Sequence, residues 1–324
     1  MKVSIIIPVR NGDKTLDKCL NSITNQTIKD RTEIIILDSL STDDSRSIAK
    51  RYGAKIIDIP DGTFDHGLTR NVGVQHATGS LIYFTVQDAW IADENMLENM
   101  ARHFNDNEII AVAGHQAVPH EKDKNPLLWY RPFSKPSITE KFAANKNDFL
   151  KMPANEQRSL IAWDDVVAMY RKTALLEQPF VQTQFAEDWI WSYQALQKGW
   201  KIIHDSSLLV YHYHHQTYKY VYNTSYTINY HFYHFFKYKP AVPPVLMPIA
   251  RAIYHLLKNT KLTIKEKMYW ILHNISGKLA LFFSTLNFLF RLSLFGYSCI
   301  EKGFNKYCKE IPQGTQKISS VLNK

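Results

Sequence analysis

The stretch LIYFTVQDAW, residues 81–90, is an apolar run that ends on Gln87 and Asp88. In an open α/β sheet, ligands bind at the carboxyl ends of strands. A carboxylate there suits a hard divalent cation, Mg²⁺ or Mn²⁺, and such a cation neutralises a diphosphate. Asp88 is the natural anchor for it, although a plain strand-end aspartate explains the same residue taken alone. A second acidic pair, Glu187-Asp188, follows Phe185 and precedes Trp189-Ile190-Trp191. Carboxylates in the first turn of a helix are favoured by its dipole. They also suit general-base work, because an attacking hydroxyl must lose its proton. Asp188 is the expected base, and Glu187, Trp189 and Trp191 are expected to line the acceptor side, where aromatic rings give a sugar a flat wall.

Three other clusters complete the chemistry. Pro8, Arg10 and Asp38 stand at the tips of the first two apolar runs, where base and ribose of a nucleotide are touched in this topology. Asp38 suits a pyrimidine N3–H or a ribose hydroxyl; a turn carboxylate is the plainer alternative. In FDHGLTRN, residues 64–71, Gly67 lets backbone approach a ligand, and Arg70 offers a planar fork to phosphate oxygens. His66 is expected to hydrogen-bond the same group. In YHYHH, residues 211–215, alternation along a strand puts His212 and His214 on one face. Neutral imidazole ligates divalent metals, so Asp88, His212 and His214 form the expected metal set.

The elements that must position these groups follow from periodicity. Val3–Val9, Glu33–Leu37 and Ala54–Ile59 read as buried strands. Between them lie a helix capped by Asp13, with Leu16, Cys19, Leu20 and Ile23 inward, and one opened by Ser41-Thr42-Asp43. This is β-α-β-α-β, the nucleotide-binding half of a doubly wound, mostly parallel α/β sheet. Leu81–Val86 and Ile109–Ala113 add strands, with a helix over Glu94–Phe104 between them. Pro119–Pro136 reads as an acceptor-side loop, and Trp163–Tyr170 as either a short strand or a helix. Glu187–Gln197 is helical with Gly199 just past its end, and Lys201–Ile203 and Leu208–Tyr213 are short strands.

From residue 216 the character changes to an aromatic and basic helical extension, which sets the expected domains at 1–215 and 216–324. Residues 216–324 hold 15 Lys and Arg against 3 Asp and Glu, a charge of +12, while residues 1–215 hold 24 against 27, or −3. An anionic partner therefore belongs to the extension, and an anionic membrane surface is expected. No RNA-binding motif accompanies the charge, so nucleic acid is not. Helical patterns run over 249–259, 263–275 and 277–297, with Leu279, Phe282, Phe283, Leu286 and Phe290 on one face of the last. Asn287 and Arg291 interrupt it, and a bilayer span needs about 20 mostly apolar residues. A helix lying in the membrane interface or the core of a helical subdomain both fit. Aromatic helices of this kind also leave room for an oligomer contact. The last residues, 311–324, read as a tail. MKVSIIIPV is too short an apolar run for a signal peptide, and Cys19, Cys299 and Cys308 form no disulfide or zinc spacing; a cytoplasmic protein is expected.

Taken together, SIIIPVRN (4–11), IIILDSLSTDDS (34–45), FDHGLTRNVGVQHATG (64–79), YFTVQDA (83–89) and FAEDWIWSYQALQKGWKI (185–202) resemble the family 2 glycosyltransferases of GT-A fold. The FxHGxTRN and TxQDA segments most resemble the bacterial rhamnosyltransferase branch. The resemblance implies an inverting transferase that takes a nucleotide sugar, dTDP-rhamnose first among them. It implies a saccharide acceptor, on a lipid carrier at the inner face of the plasma membrane. It sets Asp88 at the last aspartate of the family's DxD metal motif and Asp188 at the base of its ED motif. Arg70 falls at a phosphate-contacting arginine, Asp38 at a nucleotide-contacting aspartate. The chain departs from the pattern at Val86, where DxD has its first aspartate, and at Ser39, where a second aspartate often follows.

Overall fold

The first strand, β1 (Val3–Val9), is buried on both faces, which is why its sequence is apolar at every position but Ser4 rather than alternating. A computed structural model of the chain describes residues 1–183 and 185–309. After β1 come α1 (Leu16–Thr24), β2 (Thr32–Asp38), α2 (Ser45–Arg51), β3 (Lys55–Asp58), α3 (His66–His76) and β4 (Leu81–Phe84). Next are β5 (Trp90–Ile91), α4 (Met96–Arg102), β6 (Ile109–Ala117), β7 (Ile138–Lys141), α5 (Lys146–Lys151), α6 (Ala154–Ile161) and β8 (Ala168–Arg171). The chain continues through α7 (Lys172–Glu177), α8 (Glu187–Gln197), β9 (Lys201–Tyr211), α9 (Tyr218–Phe236), α10 (Leu246–Lys258) and α11 (Ile264–Lys309). These form two compact units: Met1–Ala117 with Pro132–His212, and Val118–Arg131 with the chain from Tyr213. The expected tail at 311–324 lies outside the described residues.

The first unit is a sheet of order β3-β2-β1-β4-β8-β6-β9-β5, with β7 on β9. β3, β2, β1 and β4 are parallel, the expected nucleotide-type half. β8 runs antiparallel to both β4 and β6, and it resolves the unassigned stretch: a four-residue buried strand is too short to show a period. Register then sets the site edge. Val9 pairs with Asp38, and Ile6 with Phe84, so the segments leaving β1, β2 and β4 emerge together. Ala113 of β6 pairs with Ala168, so the end of β6 and the residues just before β8 meet at one edge.

Several local expectations change. Asp13 does not cap α1. Gly12 O accepts from the N–H groups of Thr15 and Leu16 at 3.0 and 2.9 Å, and the Asp13 N–H donates to Asp43. α2 starts at Ser45, because Ser41 and Asp43 hold the loop of the first strand, accepting from Asn11 and Asp13 N–H at 2.9 Å each. The two short strands expected at 201–213 are one, β9, which ends at Tyr211 where parallel β6 ends and antiparallel β5 begins. His212 and His214 therefore lie beyond the strand rather than on its face. α8 is as expected, and Gly199 adopts φ 75°, the left-handed turn a helix end favours.

In the second unit, α9 packs its tyrosines on α11. Tyr226 meets Phe288 edge-on at 5.5 Å, and Tyr230 stacks on Phe304 at 4.4 Å. Leu127 and Trp129, from the stretch expected as an acceptor-side loop, pack with Leu256, Leu262, Trp270 and Ile271. The helices expected at 263–275 and 277–297 are continuous, and the break comes at Gly296 with φ 71°. α11 buries a stripe of small and mixed residues: Ala280, Ser284, Thr285, Phe288 and Leu292. Other large apolar side chains of the helix face outward, with Phe290, Leu294 and Phe295 58–63% exposed. The helix is long and apolar enough to cross a membrane.

Candidate functional site

The strand tips are held by side-chain bonds. Gln87, after β4, accepts from the Arg10 N–H at 2.9 Å and donates to the Arg10 carbonyl at 3.3 Å, tying the ends of β1 and β4. Pro8 is half-buried in β1, and Arg10 is exposed just beyond it. Asp38, the last residue of β2, is buried; it accepts from Arg46 at 2.7 Å and from the Ser41 N–H at 3.3 Å. Arg46 also pairs with Asp58.

α3 turns two expected ligand contacts inward. A Cβ on Gly67 would stand 2.7 Å from the Val181 carbonyl, so the bare glycine serves helix packing rather than approach to a ligand. Arg70 is buried, and its guanidinium donates to Glu187 and, at 3.1 Å, to the His66 carbonyl. Its Nε lies 3.6 Å from Asp165. The fork expected on phosphate oxygens thus meets two protein carboxylates. Phe64 packs against the His66 ring edge-on at 4.9 Å.

Those carboxylates belong to a cluster of four: Asp164, Asp165, Glu187 and Asp188. Ala186, just before the pair on α8, takes a left-handed φ of 66°, unusual without glycine; such strain concentrates at functional sites. Burial, then the charges of Glu187, Asp165 and Asp164, push the Asp188 carboxyl well above the ordinary range, with Arg70 opposing them. Asp188 keeps partial exposure and accepts from the Trp189 N–H at 2.8 Å. Burial also raises Asp165, to about 7 against the pull of Arg70. Tyr170 donates to Asp165, and Trp163 donates to the Tyr170 hydroxyl at 2.6 Å. Trp189 is partly exposed and donates to the Trp163 carbonyl at 3.0 Å. Trp191 is a core residue, 1% exposed with its N–H on the Gln178 carbonyl, and has no face left for an acceptor.

At the same edge, Nε2 of His212 lies 3.4 Å from Oδ1 of Asp88. A carboxylate oxygen and an imidazole nitrogen at this spacing suit a divalent cation. His214 belongs to the second unit. His212 also meets Gln116 through Nδ1 at 2.6 Å, and Gln116 donates to Asp164. Sequence reasoning missed Gln116, Asp164, Asp165 and Tyr170. The adjacent pair in AWDDVV, two acids ahead of an apolar run, was the available signal for the aspartates. Gln116 had none.

A family model described as Glycosyl transferase family 2 matches residues 4–162. The O-antigen chain rhamnosyltransferase WbaN of Salmonella anatum is 34% identical over 220 residues, 66% of this chain and 67% of that protein. The O-antigen chain rhamnosyltransferase RfbN of Salmonella typhimurium is 32% identical over 222 residues, 67% of this chain and 68% of its own. Among solved structures, S. aureus TarS 1-349 aligns with a TM-score of 0.54 at 17% identity, covering 96% of this chain and 83% of that one. That likeness carries the fold.

Proposed function

The chain belongs to glycosyl transferase family 2, and from that premise we propose that it is an inverting rhamnosyltransferase that uses dTDP-rhamnose. Its acceptor would be a saccharide carried on a lipid, in the assembly of O-antigen-type polysaccharide. Two relatives named as O-antigen chain rhamnosyltransferases, each matched over two thirds of its length, support the substrate class. The observation that carries the chemistry is Asp188: a partly exposed carboxyl at a helix start, held above the ordinary range by burial and then by its acidic neighbours.

In this reading Asp188 takes the proton from an acceptor hydroxyl. The oxygen forms a bond to the anomeric carbon as the bond from that carbon to the diphosphate breaks, and the nucleoside diphosphate leaves with the electron pair. Attack from the opposite face inverts the centre. Pro8, Arg10, Asp38 and Gln87 would line the nucleotide side, with His66 near the phosphates. Arg70 acts one step back, fixing Glu187 and so the first turn that presents Asp188. Trp189 is the acceptor-side ring.

Asp88 and His212 would hold Mg²⁺ or Mn²⁺. When bound, the cation offsets the negative charge gathering on the leaving diphosphate. The second unit would hold the enzyme at the cytoplasmic face of the membrane. Its basic charge is worth about 1 kcal/mol per Lys or Arg near an anionic leaflet, and the outward apolar side chains of α11 add to it.

The test is turnover by the purified full chain, with Mn²⁺ and a lipid-linked saccharide, supplied in turn with dTDP-rhamnose, UDP-N-acetylglucosamine and GDP-mannose. Release of dTDP from the first donor alone supports the reading. Turnover of another donor alone removes the rhamnosyl assignment, and nucleotide binding without any turnover removes catalysis.

A further inference from the structure

Gln116, near the end of β6, touches two groups at once. Its Nε2 donates to Asp164, and its Oε1 lies 2.6 Å from Nδ1 of His212. An amide has one accepting oxygen and one donating nitrogen, while a carboxylate only accepts. Asp164 therefore draws the amide nitrogen to its own side. The amide oxygen is left to face His212, and that contact requires a proton on Nδ1. A neutral imidazole carries a single ring proton, so Nε2 keeps its lone pair. Nε2 is the atom 3.4 Å from Oδ1 of Asp88. Nε2 and the Asp88 carboxylate then both offer lone pairs suited to one divalent cation.

The chain of contacts is anchored at both ends. Asp164 is oriented by the Val166 N–H, which donates to its other oxygen at 2.9 Å. The backbone at His212 is fixed by its main-chain N–H, which donates to the Ala117 carbonyl at 3.0 Å. Between them, Gln116 is in register with Val210 on β9, which sets how far its side chain must reach.

We propose that Gln116 is a positioning residue: backed by Asp164, it holds His212 in the Nδ1–H form and presents Nε2 together with Asp88 as ligands for a divalent cation. The inference rests on the reading of Asp88 and His212 as metal ligands, and adds what decides the proton on the imidazole. Outer-shell partners of this kind typically change metal affinity about 10–100-fold when removed.

The experiment uses full-length wild type, Gln116→Leu, and the double variant Gln116→Glu/Asp164→Asn. The double variant exchanges donor and acceptor between the two positions but still offers Nδ1–H an oxygen. Mn²⁺ affinity is read by electron paramagnetic resonance of the free ion. The His212 proton is read by nitrogen-15 NMR of metal-free protein near pH ~8, above the ordinary imidazole range. Expected are an Nδ1–H signal in wild type, a loss of about 10–100-fold in Mn²⁺ affinity with a shift toward Nε2–H in Gln116→Leu, and near-wild-type affinity in the double variant. An Nε2–H signal in metal-free wild type overturns the proposal. So does a folded Gln116→Leu that binds Mn²⁺ as wild type does. Wild type that binds no Mn²⁺ removes the metal reading instead, while the NMR measurement still decides the role of Gln116.

Discussion

Arg70 on α3 and Glu187 on α8 form a buried ion pair across 117 residues of chain, with Asp165 on the guanidinium's other side. Removing one member of such a set leaves a buried charge uncompensated, at a cost of about 3–5 kcal/mol. Arg70→Met is expected to lose that much stability in urea unfolding. Arg70→Met with Glu187→Gln should recover part of it. Arg70→Met with wild-type stability and weakened nucleotide binding would instead return Arg70 to the phosphates.

Asp188→Asn keeps shape and removes the proposed base. Transfer should fall about 10²–10⁴-fold with little change in donor affinity, read by single-turnover kinetics beside calorimetry. The same change should stabilise the protein at neutral pH by ~2 °C in Tm, on the order of 1 kcal/mol for a long chain, because one of four crowded carboxylates is gone. A variant that turns over at the wild-type rate sinks the assignment of the base.

The pH dependence follows from the direction of the Asp188 shift. The folded carboxyl holds its proton to higher pH than an unfolded aspartate, near 4. As the proposed base, Asp188 would be protonated and inactive on the acid side, and activity should rise with pH through the raised value rather than level off near 4. For stability the sign is opposite to that of a salt-bridged acid: the folded state binds the extra proton, so the penalty appears as pH rises above the unfolded value. The gain in Tm of Asp188→Asn should thus vanish toward pH ~4, and a gain that persists there contradicts this account.

Asp38 is buried with Arg46 as its ion partner. If it reads the nucleotide, Asp38→Asn should weaken dTDP binding by about tenfold, the scale of one charged hydrogen bond. Isothermal titration checks it. Unchanged affinity would leave Asp38 as a turn carboxylate held by Arg46 and the Ser41 N–H.

Phe290, Leu294 and Phe295 face solvent on α11, while Ala280, Ser284, Thr285 and Phe288 face inward. Replacing all three with Glu should abolish co-sedimentation with anionic vesicles and leave the fold intact, since none is buried. High salt should weaken the wild-type binding only in part, because the apolar share is not screened. Equal sedimentation of wild type and triple variant would argue against a membrane-facing role for this surface.

Much of this was legible in the order of residues because the signals are local. Continuously apolar runs mark β1 and β2 as buried strands, and an acid pair before an amphipathic stretch, closed by Gly199 at φ 75°, marks α8. The positions of Asp88 and Asp188 are readable for the same reason: each stands at an element boundary visible in a few residues around it. The partners are not. β8 is too short to show a period, so Asp164 and Asp165 had no element to place them. The antiparallel pairing of β6 with β8 brings them beside Gln116 and Arg70. A side chain's chemistry is written at its own position, but its charge environment is set by groups far away in sequence. That is why Arg70 reads as a phosphate fork in the sequence and becomes, in the folded chain, the counter-ion of two buried acids.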